Sequence, residues 1–270
     1  MRVTKFHRQV FFMELRKLIT YRADFWVNFI GQTILALVIA YYLWVSIFEY
    51  SQTQTLKGHN IQYMIFYYLI VPLIFRIQQG QGIGFLSREI YEGGLNKYLL
   101  YPIDIFEFKI STYFANSFFY FIQLLFILII YNLFFYDPSI YSFSILNLTI
   151  FILTTIVSTL SFFYFFTLAE LMAFWFDNTW TLGVMLRFSV SFLGGALIPL
   201  SFFPEWANQI LVYTPFPYFI DFPLNCLVGS LSALAILKNL LISISWLFFF
   251  RQLCLMIWKK GQLSYSGVGI

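Results

Sequence analysis

Six apolar runs limit what this chain can fold into more than any other feature. Residues 25–48, 61–78, 110–136, 144–168, 180–203 and 233–257 each reach the roughly 18 residues that mark a helix able to cross a bilayer. Strands of a membrane barrel would instead show segments of about 10 residues with alternating polarity. The chain is 60% hydrophobic and 10% charged, against roughly 45–50% and about 25% for a soluble domain. These observations predict an all-α membrane protein with six transmembrane helices, forming one domain over residues 1–270.

Charge placement predicts the orientation. Fourteen of the sixteen Lys and Arg residues fall in 1–24, 76–109, 169–187 and 251–270, while Lys57 and Lys238 lie on the other side of the spans. Basic residues collect on the cytoplasmic side, so both termini are expected in the cytoplasm, with the chain in the plasma (inner) membrane. The basic residues flank apolar runs rather than forming one solvated face, which argues against a nucleic-acid partner.

Two segments between and before the spans carry their own pattern. In 1–24, Val3, Phe6, Val10 and Met13 share one helical face and Lys5, Arg8, Gln9 and Arg16 another. That pattern predicts a basic amphipathic helix at the membrane interface, with membrane lipid as its partner. The run 25–48 is too long for a signal peptide and lacks a small-residue cleavage site, so it is read as the first span. The second span is short and contains Pro72, which predicts a kink or a local thinning of the bilayer. Residues 201–232 are apolar yet carry Pro204, Pro215, Pro217 and Pro223. They are expected to form a pair of short helices re-entering the outer leaflet rather than a seventh span.

Several chemistries find no residues here. No GxxxxGK[ST] sequence occurs, so no phosphate-cradling loop is expected, and the glycines of GQGIG (80–84) follow a span rather than a strand. Cys226 and Cys254 lie in different apolar segments without a CxxC pair, and His7 and His59 are the only histidines; no metal site and no disulfide are expected. No catalytic set is read. None of the twelve carboxylates lies in the central part of a predicted span, which counts against an ion-coupled secondary carrier. Ser158, Thr159 and Ser161 read as helix-contact residues. Arg187, about two turns inside the fifth span, reads as a snorkelling side chain, with a contact to Asp177 as the alternative.

What remains is the polar loop 79–108. There Phe85, Leu86, Ile90, Leu95, Leu99 and Leu100 alternate with Arg88, Glu89, Glu92, Asn96 and Lys97, enough for a short helix with one apolar face. Gly93-Gly94 predicts a break or a close contact, since each Gly costs about 1 kcal/mol of helix propensity. Pro102 closes the segment.

The order of these features resembles the membrane (permease) subunit of a type-2 ATP-binding-cassette exporter. The resemblance rests on the basic first helix, the six spans, SREIYEGGLNKYLLYPID (87–104), GGALIPLSFFPEW (194–206), YTPFPYFIDFP (213–223) and the C-terminal WKKGQLSYSGVG (258–269). It implies that Arg88, Glu89, Glu92, Gly93, Gly94 and Leu95 belong to a coupling helix docking on a separate nucleotide-binding ATPase subunit. It further implies a second permease subunit, identical or related. ATP and Mg would then bind the partner ATPase, with no cofactor in this chain and no enzymatic activity of its own. A membrane scaffold recruiting a cytoplasmic protein and a secondary carrier are the alternatives.

Overall fold

The computed structural model describes residues 2–20, 22–80, 84–100, 104–138, 140, 144–177 and 179–265. Gly82, Pro102 and the last residues of the 258–269 motif lie outside them. The described chain is helical: α1 (Arg2–Thr20), α2 (Arg22–Ser51), α3 (Ile61–Gln79), α4 (Phe85–Tyr91), α5 (Leu95–Leu100), α6 (Ile105–Phe134), α7 (Ile145–Leu171), α8 (Trp180–Leu193), α9 (Glu205–Leu211), α10 (Phe216–Phe219), α11 (Asp221–Val228) and α12 (Ala233–Ser264).

Helix α7 is the hub, packed against α12, α11, α3, α10, α4 and α8. Its inward face carries Thr154, Thr155, Ser158, Thr159, Ser161 and Thr167, all buried. Small hydroxyl residues let neighbouring helices approach closely and bond across the contact. Gln78 Nε2 donates to Ser158 Oγ at 3.1 Å, and the Tyr113 hydroxyl reaches both the Gln78 and the Thr159 carbonyls. Three helices, α3, α6 and α7, are thereby tied together where α3 ends. Pro72 sits inside α3, which nonetheless runs unbroken over 19 residues.

Among the described residues, five stretches are long and apolar enough to cross a bilayer: Phe25–Ser51, Ile61–Gln79, Ile105–Phe134, Ile145–Phe174 and Ala233–Ser264. The sequence predicts a sixth continuous span over 180–203, and here the structure differs. Helix α8 has 14 residues, about 21 Å at 1.5 Å per residue, and stops at Gly194-Gly195. Gly195 takes φ +93°, and a Cβ on Gly194 would stand 2.9 Å from the Phe216 carbonyl. The segment still runs the length of α3. Near the α4 end, Tyr91 bonds to Phe176 and Thr179; at the far end, Tyr68 donates to the Leu197 carbonyl at 2.7 Å and His59 meets Ser201 at 3.0 Å. A short helix followed by irregular backbone therefore covers the distance, with the Gly195 and Leu197 carbonyls taken up by Tyr67 and Tyr68 of α3. Arg187 is exposed on α8, and no ion pair with Asp177 is found among the described residues.

The segment after this crossing contains three short helices, α9 to α11, rather than the expected pair. Pro204 and Pro215 are the N-cap residues of α9 and α10, and Pro217 and Pro223 lie in the first turns of α10 and α11. A proline there removes only an N–H that has no intrahelical partner. Phe216 and Phe219 of α10 pack against Phe165, and Phe219 also against Phe162. The segment therefore dips well below the start of α7 before α12 begins. It brings Asp221 inside, half-buried beside Gly195, where Asn225 Nδ2 donates to its carboxylate at 2.8 Å.

The expected face of α1 is met in part: Val10 is buried and Phe6 partly so, while Arg8, Gln9 and Arg16 are exposed. Met13 is 52% exposed, while Val10 and Glu14 are buried and His7 and Phe11 partly so. His7 meets Ser111 at 2.5 Å, and the Phe11 ring lies 5.8 Å from Phe118. The N-terminal half of α6 offers α1 a protein surface, and that surface selects the face containing His7, Val10, Phe11 and Glu14.

The candidate coupling site

The apolar residues of the 79–108 loop fold it onto the helix bundle. Leu86 and Leu95 are fully buried and Ile90 nearly so, which leaves Arg88, Glu92, Asn96, Lys97 and Leu100 on the outer surface. Of the residues singled out from sequence, Arg88 and Glu92 are thus exposed, Glu89, Gly93 and Gly94 half-buried, and Leu95 buried. Truncating Leu95 to Ala should cost about 2–5 kcal/mol of local stability. The expected outcome is faster proteolytic cleavage within 84–100 while the spans stay protected.

Helix α4 ends at Tyr91, and Gly93, at φ +72°, lets the chain turn into α5. The neighbouring glycine is constrained by space: a Cβ on Gly94 would fall 2.2 Å from a Glu89 carboxylate oxygen. That carboxylate accepts from Lys97 Nζ at 2.8 Å and holds the ammonium above its ordinary pKa. On the outer side Arg88 Nε donates to Glu92 at 2.8 Å, which raises the guanidinium in the same way. Both partners of this second pair are mostly exposed. Solvent screens such a pair, so it sets the pattern of charge on the surface more than the fold.

The start of α4 is where the loop meets the bundle. Its N-cap is Gly84, which has no side chain to cap with and sits at φ +108°. The first N–H groups of a helix lack intrahelical acceptors, and here a carboxylate from another helix supplies them. Glu170, at the end of α7, accepts from Gly84 N at 2.9 Å through Oε1 and from Leu86 N at 3.2 Å through Oε2. The negative charge also suits the positive end of the helix dipole. Lys109 of α6 donates to the same carboxylate and, at 3.3 Å, to Thr167 Oγ1. Lys109 and Glu170 are 7% and 4% exposed, a burial that ion pairs tolerate only with full hydrogen bonding. One buried pair therefore pins α4 to the ends of both α6 and α7.

A second tie lies at the other end of α4. The Tyr91 hydroxyl donates to the Phe176 carbonyl at 2.5 Å and accepts from Thr179 N at 3.2 Å. Between the ties lies an open groove of about 440 Å³, lined by Ser87, Arg88, Glu92, Asp177 and Trp180.

The arrangement is a short helix with a charged outer face, fixed at both ends to the structures that enter and leave the spans. The family comparison bears on what such a helix is for. Residues 34–269 match the family described as ABC-2 family transporter protein. The chain belongs to that family. No curated protein and no solved structure gives a significant match. The match begins within α2 and covers the four later long apolar helices, the α4–α5 loop and α9 to α11, and makes this ABC-2 chain the membrane permease of an ABC transporter. It is a transport subunit rather than the catalytic ATPase.

Sequence reasoning on this permease missed Lys109, Glu170 and Tyr91. Lys109 read as one more orientation charge and Glu170 as a carboxylate at a span's end. The usable signal was that each stands at the loop end of a different apolar run, close enough in the fold to pair.

Proposed function

We propose that this permease works in an ATP-driven exporter of the plasma membrane, with both termini in the cytoplasm and α4–α5 as the docking element for a separate ATPase. ATP and Mg bind that ATPase, and a second permease chain, identical or related, completes the membrane part. The observation carrying the reading is the capped start of α4. A pair of short helices presenting Arg88, Glu92 and Lys97 outward, the first of them fixed through Glu170 and Lys109 to α7 and α6, can pass a push from below into two membrane helices at once. The charge asymmetry along the chain supports a cytoplasmic position for this loop. An apolar cleft of about 500 Å³ between α2 and residues 192–204, at the far end of the molecule, supports an amphiphilic cargo moved outward.

The tagged chain, extracted in mild detergent, is expected to bring down a nucleotide-binding subunit; its absence would remove the motor reading. A charge swap then tests the docking face. Arg88→Glu with Glu92→Lys keeps an ion pair within α4 but reverses what the partner meets. Cargo-stimulated ATPase activity should fall about tenfold or more, as expected when interface charges are turned against a complementary surface. Unchanged stimulation with an intact complex would count against this docking face.

A further inference from the structure

Apart from the coupling site, one cavity combines positive charge with buried polar groups that have no partner. It holds about 370 Å³ where the end of α1, the start of α2, the end of α3 and the middle of α6 meet. Lys17 and Arg76 supply two cations, Gln32 and Gln123 amides, and Phe25 and Phe29 apolar wall. No carboxylate lines it among the described residues. Lys17 reaches Glu14 only at 3.8 Å, and Arg76 donates to the neutral Gln32 Oε1. Gln123 is 1% exposed, and neither its Oε1 nor its Nε2 has a hydrogen-bond partner. A buried amide left unpaired on both sides is costly, and this one lines a cavity large enough for a small ligand.

We infer that this cavity binds the head group of an anionic, hydroxyl-bearing glycerophospholipid. Arg and Lys recognise phosphate oxygens, and the Gln123 amide nitrogen can donate to the same group. The remaining Gln123 Oε1 needs a donor. The loose contact of Lys17 with Glu14 and the neutral partner of Arg76 leave net positive charge at the cavity, which favours a head group whose donor is a neutral hydroxyl rather than an ammonium. The position suits a lipid, because the interfacial helix α1 meets the spans here and Phe25 and Phe29 line the way to the acyl region. Such a lipid would brace α1 against α2, α3 and α6. The inference requires only that α2 and α3 lie in a bilayer; it does not depend on the ATPase assignment.

The test uses the full chain purified in neutral detergent, with thermal unfolding and native mass spectrometry as readouts. Phosphatidylglycerol is expected to raise the unfolding midpoint and remain bound, whereas phosphatidylcholine and soluble glycerol phosphate are not. Arg76→Gln should weaken phosphatidylglycerol retention about tenfold, the loss expected for one charge-assisted hydrogen bond. Gln123→Leu covers the case in which the arginine variant fails to fold. With two unpaired polar atoms removed, the lipid-free protein should be at least as stable as wild type, yet phosphatidylglycerol should no longer stabilise it. Equal stabilisation by glycerol phosphate would assign the site to a free anion and overturn the lipid. Equal stabilisation by phosphatidylcholine, or retention unchanged in both variants, would overturn the site.

Discussion

Glu170→Gln will uncouple the transporter and destabilise it together. The substitution keeps the shape of the side chain and removes its charge, leaving Lys109 a buried cation without a counter-ion. Breaking one partner of a buried pair costs about 3–5 kcal/mol. One amide oxygen must also replace the two carboxylate oxygens that now accept from Gly84 and Leu86, so the start of α4 loses part of its cap. Thermal unfolding in nanodiscs should show the first loss and cargo-stimulated ATPase activity the second.

A double variant separates the two effects. Lys109→Met with Glu170→Leu replaces the pair by apolar side chains, an exchange that is often neutral or even stabilising. The bundle should then regain an unfolding midpoint close to wild type, but the α4 N–H groups still lack their acceptor. Stability restored with coupling still lost is the expected result. Full coupling in the double variant would show that the ion pair serves the fold alone.

The sequence yields the fold class because span length and charge placement are local properties of the chain. The 79–108 loop was legible in part for a similar reason: its alternation of apolar and charged residues marks which side chains turn inward, and Leu86, Ile90 and Leu95 are buried accordingly, whereas Leu100 faces outward. Contacts between distant segments were not legible. Lys109 and Glu170 are 61 positions apart, and nothing in the surroundings of either specifies the other. The contact of α1 with α6 was missed because a bilayer was taken as the only apolar neighbour of α1. Asp221 escaped notice differently. Its position outside every predicted span holds, but the re-entrant segment carries it inward, and a linear reading of depth cannot register a chain that enters and returns by the same side.

Gly194→Ala should produce the largest effect away from the α4–α5 loop. The end of α8 approaches the start of α10 backbone to backbone: a Cβ on Gly194 would stand 2.9 Å from the Phe216 carbonyl and 2.5 Å from that of Val190. Neither obstacle is a flexible side chain, so the last turn of α8 must open and its end must move away from α10, at a cost of about 1–3 kcal/mol for overpacking. The next residue shows what separation would break, since the buried Tyr67 hydroxyl donates to the Gly195 carbonyl. Tyr67→Phe alone should cost about 0.5–1.5 kcal/mol for that bond. If Gly194→Ala has already pulled Gly195 away, adding Tyr67→Phe will cost less than the sum of the single changes, as expected for residues sharing one contact. Unfolding midpoints of the two single variants and the double variant, measured in the same nanodiscs, test this directly. Strict additivity would mean that α8 yields at Gly194 without moving Gly195, and that the re-entrant segment is not held in register through the Tyr67 bond.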